Sequence, residues 1–152
     1  DIFVGEPKEI RDWVVNAIAN IVIVDGIIEK HEFVALQEAI GLLDSKEEIH
    51  DLMNKVKERN LFEVENIEME QGLAIKIFFY LAAIAVIDGN LKKSEKELLN
   101  KCGNCLGLEA DLVRAVTRWS LNQMEINSKL SHELKGSNKE RARIIDSLLF
   151  ME

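Results

Sequence analysis

Ala19-Asn20-Ile21-Val22-Ile23-Val24-Asp25-Gly26-Ile27-Ile28-Glu29-Lys30-His31-Glu32 and Ala82-Ala83-Ile84-Ala85-Val86-Ile87-Asp88-Gly89-Asn90-Leu91-Lys92-Lys93-Ser94-Glu95 are two versions of one pattern, set 88 − 25 = 63 residues apart. Each runs from an apolar helical stretch into Asp-Gly, through a short loop, to a Glu seven positions after the Asp. Self-similarity of this kind is read first, because it sets the architecture. It implies a duplicated supersecondary unit and keeps four carboxylates in step: Asp25, Glu32, Asp88 and Glu95.

Working outward, apolar residues fall at helical spacing and strand signals are almost absent. Ile10, Trp13, Val14, Ala17, Ile18 and Ile21 place a helix that runs on through Val24, with Gly26 as a left-handed cap. A second helix fits roughly 29–43, with Phe33, Leu36, Ile40 and Leu43 on one face. Asp44-Ser45, followed by Glu47 and Glu48, opens a third that carries Ile49, Leu52, Met53 and Val56. The segment from Leu61 to Gln71 breaks the pattern and reads as the connection between halves. A fourth helix, about Leu73 to Ile87, is apolar nearly all round and should be central. The fifth runs from about 92 to 105, with Leu98, Leu99 and Cys102 inward, closed by Leu106-Gly107-Leu108. The sixth, about 109 to 126, carries Leu112, Val113, Val116 and Trp119. Ser137 and Glu140 form a capping-box pattern opening a short last helix with Ile144, Ile145, Leu148 and Leu149, a stripe expected to pack on its own bundle.

The expected fold is all-α: two pseudo-symmetric three-helix repeats, about 10–60 and 72–126, joined by a linker at about 61–71, with a tail over 127–152. The first and fourth helices should pack together across the pseudo-twofold axis. A length of 152 residues suits one domain with a real core. Apolar residues make up 47% and charged residues 30%, as in a soluble globular protein. The 27 acids against 19 bases give a net charge of −8, which repels nucleic acid and attracts a divalent cation or a basic partner. The run Ile77 to Ile87 is too short to span a bilayer. The chain starts at Asp1 without a Met, so it is expected to be a fragment or a processed form of a longer chain.

The Asp-Gly-to-Glu unit supports two readings. In the first, the Asp bonds loop N–H groups, and a Glu at the third helical position reaches back to the N-cap N–H, with Glu29 and Lys92 as the N-caps. In the second, an Asp ending one helix and a Glu opening the next converge on a loop whose hard oxygens suit Ca²⁺ or Mg²⁺. The spacing is not that of an EF-hand, since Gly follows Asp at once. The first loop is the richer in ligands, with Asp25, Glu29 and Glu32 and with His31 nearby, whereas Lys92 replaces Glu29 in the second.

This paired pattern resembles the TerB-like family of tellurite-resistance proteins, to which the TerB-like domain of the membrane-tethered co-chaperone DjlA is related. The resemblance covers residues 10 to 126 or so. It implies two pseudo-symmetric helical repeats and a metal-binding role for Asp25, Glu32, Asp88 and Glu95. It also implies stress-response biology in protein complexes near the inner membrane, without catalytic activity. Glu29 and Lys92 stand where the family commonly opens its helix with Ser, Thr or Asp, and the tail lies outside the resemblance.

Elsewhere the signals are structural. Cys102-Gly103-Asn104-Cys105 has redox spacing but sits late in a helix, with no strand before it and no second pair for zinc, so buried thiols are expected. His31, His50 and His132 lie among charged residues and outside any triad pattern. Trp13 and Trp119 sit on apolar faces, where core packing is expected. The runs Glu29–Glu32, Lys92–Glu97 and Lys139–Arg143 read as solvated faces. The expectation is thus a non-enzymatic, cytoplasmic stress module with protein partners and no nucleic acid, peripherally associated with the inner membrane through a complex. It would bind a divalent cation; the alternative is an interaction scaffold in which the four acids only cap helices.

Overall fold

The computed structural model describes residues 3–24, 26, 28, 30–61, 63–87 and 89–134, with side chains as far as Ile126 and without that of His31. Among them are six helices and no strand: α1 Lys8–Ile23, α2 Lys30–Ile40, α3 Lys46–Glu58, α4 Gln71–Ala85, α5 Lys93–Cys105 and α6 Ala110–Leu134. The all-helical expectation is met. The expected last helix from Ser137 lies outside the described residues.

Local chemistry explains the boundaries. Pro7 stands at the N-cap of α1 with its φ of −55° already suited to helix entry, and its carbonyl accepts from Arg11 N. Ser45 Oγ accepts from Glu48 N at 3.2 Å, as the Asp44-Ser45 signal implies. Arg59 ends α3 in the left-handed region at φ 57°, so that Arg59 N and Asn60 N return to Val56 O and Lys55 O. Gly107, at φ 77°, closes α5 in the same way, with Leu108 N donating to Gly103 O at 2.9 Å. α6 runs past the expected end near 126 because no Gly or Pro interrupts it before Gly136.

The core is built around α1 and α4. From Trp13 to Ile23 every residue of α1 except Asn16 is buried. α1 packs on α2, α3, α4 and α5, while α4 also packs on α5 and α6. α4 contributes Ala74, Ile77, Phe78, Leu81, Ala82 and Ala85. Fully burying each large apolar side chain contributes on the order of 1.5–3 kcal/mol. Arg11 ties α1 to the α2–α3 turn by donating to Glu6 O, Leu42 O and Asp44 Oδ1. Its guanidinium holds the Asp44 carboxyl below the usual carboxylate range.

The segment from 61 to 70 is irregular but belongs to the core wall. Val64 and Ile67 are buried, while Glu63, Glu65, Glu68 and Glu70 face out. Trp13 Nε1 donates to Glu65 O at 2.7 Å, and Ile67 N donates to Cys105 O at 3.0 Å. These bonds strap α1 to the end of α5 and satisfy main-chain groups that a helix would have paired internally.

Several inward assignments need correction. Phe33 is 51% exposed and Trp119 52% exposed. On α2 the inward row is Glu32, Ala35, Leu36 and Ala39, whose small residues let α2 lie close to α1 and leave Phe33 on the rim. On α6 the inward row is Val113, Val116, Thr117 and Ser120, which turns Trp119 aside. Met53 also stands near the surface, and α2 ends at Ile40 rather than near 43.

Burial at the 63-residue offset matches at Leu36 and Leu99 (2% and 0%) but not at Ile21 and Ile84, where Ile21 is buried and Ile84 half-buried. The physical reason lies in what covers each helix. α1 is packed by α5, whereas α2 reaches α4 through Glu38, which accepts the Tyr80 hydroxyl hydrogen bond.

Candidate functional site

Both Asp-Gly turns are made in the same way. At the end of α1, Gly26 N donates to Ile23 O at 3.0 Å, with Gly26 at φ 79°. At the end of α4, Gly89 N donates to Val86 O at 2.8 Å, with Gly89 at φ 82°. A side chain would be strained at either φ, so glycine is required. Ile28 and Leu91 then pack against the core and pull each loop back toward the next helix.

The two glutamates land in the first turns of α2 and α5, and both are buried, Glu32 at 4% and Glu95 at 8% exposure. Glu95 Oε1 accepts from the main-chain N–H of Lys92, the N-cap, at 3.2 Å. This is the returning half of a capping box. The other half needs an acceptor on the N-cap side chain, and an ammonium has no lone pair to offer. The helix N-terminal dipole further favours an anion in this turn.

Asp25 and Asp88, the other two predicted ligands, lie outside the described residues, as do Ile27 and Glu29. Among the described residues no three His, Cys, Asp or Glu side chains gather in a metal-ligand group.

One participant escaped the sequence reading. Arg59, at the end of α3, donates from Nε to Gly26 O at 2.9 Å. It brings a fixed positive charge to the first loop and occupies a carbonyl that could otherwise serve a cation. This offsets the advantage in carboxylates expected there. Its 33-residue separation from Gly26 has no local signature; only the packing of α3 on α1 makes the contact.

The cysteine pair is free and buried at the end of α5. Burial, with a contribution from the neighbouring Cys105, pushes the Cys102 thiol up to about 12. The C-terminal end of the helix dipole opposes a thiolate in the same direction. Cys105 Sγ donates to Val64 O at 3.6 Å. Alkylation at neutral pH is therefore expected to reach neither thiol in native protein at the rate it reaches them in denatured protein, as thiol titration with and without guanidinium would measure. The sign of the linkage follows from the raised value. The unfolded chain loses this proton first, so stability is unaffected below the ordinary thiol pKa and falls as pH rises from there toward about 12.

His50 is exposed on α3, while the His31 and His132 side chains lie outside the described residues. A groove of about 410 Å³ runs between α1 and the 61–67 segment, bordered by Glu9, Asp12, Glu63 and Glu65 against Lys55. No described helix is long and apolar enough to cross a membrane. Comparison of the chain with protein-family models, with curated proteins and with solved structures finds no match.

Proposed function

We propose that this chain is a non-enzymatic helical module of TerB-like, tellurite-resistance type, built from two pseudo-symmetric three-helix units over about 10–60 and 72–126, whose Asp-Gly…Glu loops hold a divalent cation. The observation that carries the reading is the burial of Glu32 and Glu95 at matched positions behind two left-handed glycines. Each carboxylate stands in the first turn of its helix, which sets an anionic oxygen donor beside the loop that precedes it. Carboxylate and main-chain oxygens are the donor type that Ca²⁺ and Mg²⁺ require. Asp25 with Glu32, and Asp88 with Glu95, would hold the ion, with loop carbonyls and water completing its shell. The acidic balance of −8 favours cations and basic protein partners over nucleic acid. The working location is the cytoplasm, with inner-membrane association through a complex.

A specific bond favours the second reading, in which the module is an interaction scaffold and the acids are caps: Glu95 already accepts from Lys92 N. Thermal melts with chelator and with several millimolar Ca²⁺ or Mg²⁺ separate the two. Under cation binding, the wild-type melting temperature rises by mass action. Asp25→Asn reduces that rise, because the amide keeps hydrogen bonds but loses charge. Under capping alone, no cation changes the melt, and Glu95→Ala costs about 0.5–2 kcal/mol with or without metal. A flat wild-type response to both ions removes the cation reading.

A further inference from the structure

We propose that the pocket between α5 and α6, walled by Lys96, Arg114 and Arg118, binds a phosphate monoester. Its volume is about 310 Å³, at the lower end of the range of about 300–1,000 Å³ that small-molecule sites occupy. α5 and α6 form an antiparallel hairpin about the Gly107 turn, with Gly103 set against Val113 near that turn and the pocket farther out. Lys96 and Asn100 on α5, and Arg114 and Arg118 on α6, each stand four apart, so both pairs present one helix face to the opening. Leu91 and Leu121, both half-buried, give the lining an apolar part. Thr117 is buried between the helices and already donates its hydroxyl proton to Val113 O at 2.7 Å. The donors left to a ligand are therefore the Asn100 amide and the three cationic groups.

The charge of this pocket runs against that of the chain. With 27 acids and 19 bases overall, a surface depression should be acidic on average, as the groove beside α1 is with Glu9, Asp12, Glu63 and Glu65. Here the lining holds three cations and no acid. Arg114 and Arg118 have the like-charge spacing that destabilises a helix, which a bound anion would relieve. Arg114 donates to Asp111, a largely exposed carboxylate, and a surface pair of that kind is weak enough to be exchanged. On α5, Glu97 pairs with Lys93 rather than with Lys96. Among the described residues, Lys96 and Arg118 form no ion pair. Two positive charges thus border a concave, partly apolar space. A phosphate monoester carries about −1.5 to −2 at neutral pH and three strong acceptor oxygens, which matches them, whereas a carboxylate leaves one cation over. Guanidinium offers phosphate two parallel N–H donors, and lysine adds a point charge. The organic body of the ester would rest on Leu91 and Leu121. None of these residues belongs to the Asp-Gly…Glu set, so the pocket stands whether or not those loops hold a cation.

Titration of the isotope-labelled full chain with phenyl phosphate, followed by amide NMR shifts at low ionic strength, tests the assignment. The shifts are expected to saturate with a Kd of about 1 mM or tighter and to concentrate at residues 91–100 and 114–121. Arg118→Gln and Lys96→Gln should each weaken binding by about tenfold, as the loss of a charge-assisted hydrogen bond implies. Both side chains are exposed, so an unchanged thermal melt verifies that each variant keeps its fold. Binding should strengthen from about pH 5 to about pH 7, because the second phosphate ionisation lies near pH 6 or so. Benzoate, with a single charge, should bind more weakly. A phosphotyrosyl peptide titrated in parallel separates the sources of the ester. Tighter binding than phenyl phosphate assigns it to a phosphorylated protein, and weaker binding to a free metabolite; either result supports the site. No saturable shifts up to about 10 mM phenyl phosphate, or equal affinity in the wild type and both variants, overturns the proposal.

Discussion

Phe78→Ala is expected to lower stability by about 3–5 kcal/mol, the range for emptying a buried aromatic site. Phe78 is 0% exposed in the middle of α4 and touches the α5–α6 crossing, where its Cε1 lies 3.4 Å from the position a Cβ on Gly103 would take. α4 is packed by α1, α5 and α6, so the surrounding helices cannot collapse into the space without shifting one another. Urea unfolding followed by circular dichroism measures the effect as a lower midpoint with an unchanged slope. A loss below about 1 kcal/mol would mean that the site is not the closed core described, since even a deleted methylene or two costs that much.

Gly103→Ala is expected to destabilise despite improving helix propensity. Alanine in place of glycine gains roughly 0.8–1 kcal/mol in a helix interior. Against this, the new Cβ would stand 2.4 Å from Val113 Cγ2 and 3.3 Å from Val113 Cγ1. Valine is stiff at χ1 and cannot swing clear, so α5 and α6 must part, at about 1–3 kcal/mol. The net loss should be about 0–2 kcal/mol, the difference between these terms. Val113→Ala in the same chain removes the obstacle. The double mutant should therefore be more stable than the sum of the single losses, and a double-mutant cycle measures that coupling. Additive losses would show that the close approach of α5 and α6 is not what Gly103 serves.

The candidate site was legible in part. The recurrence at 63 residues pointed to Gly26 and Gly89, and both adopt the left-handed conformation a helix end requires. It also pointed to Glu32 and Glu95, both at helix starts, and the cap from Glu95 to Lys92 follows from the spacing of N-cap and third helical position. Arg59 was not legible. An arginine ending a helix carries no mark of the loop it will reach, because that contact depends on how α3 crosses α1.

By itself the sequence determined which stretches are helical and where most of them begin and end. Those decisions are local: apolar spacing, Ser45 before Glu48, Gly107 after α5, and the glycine in each Asp-Gly turn depend on neighbours within a few residues. Only the tertiary structure decided which face of each helix points inward. Phe33 and Trp119 looked like core residues because they are large and apolar, yet Ala35 and Ala39 on α2, and Thr117 and Ser120 on α6, take the inward positions. Small side chains let helix axes approach, and the closeness of that approach sets the rotation of the helix about its axis. Size alone cannot reveal it, since the partner surface that rewards a small residue is assembled from distant parts of the chain. The irregular 61–70 segment makes the same point. Its alternating acids and apolar residues read as a connection, and the carbonyls of Val64 and Glu65 became part of the core wall only once Cys105 and Trp13 stood ready to donate to them.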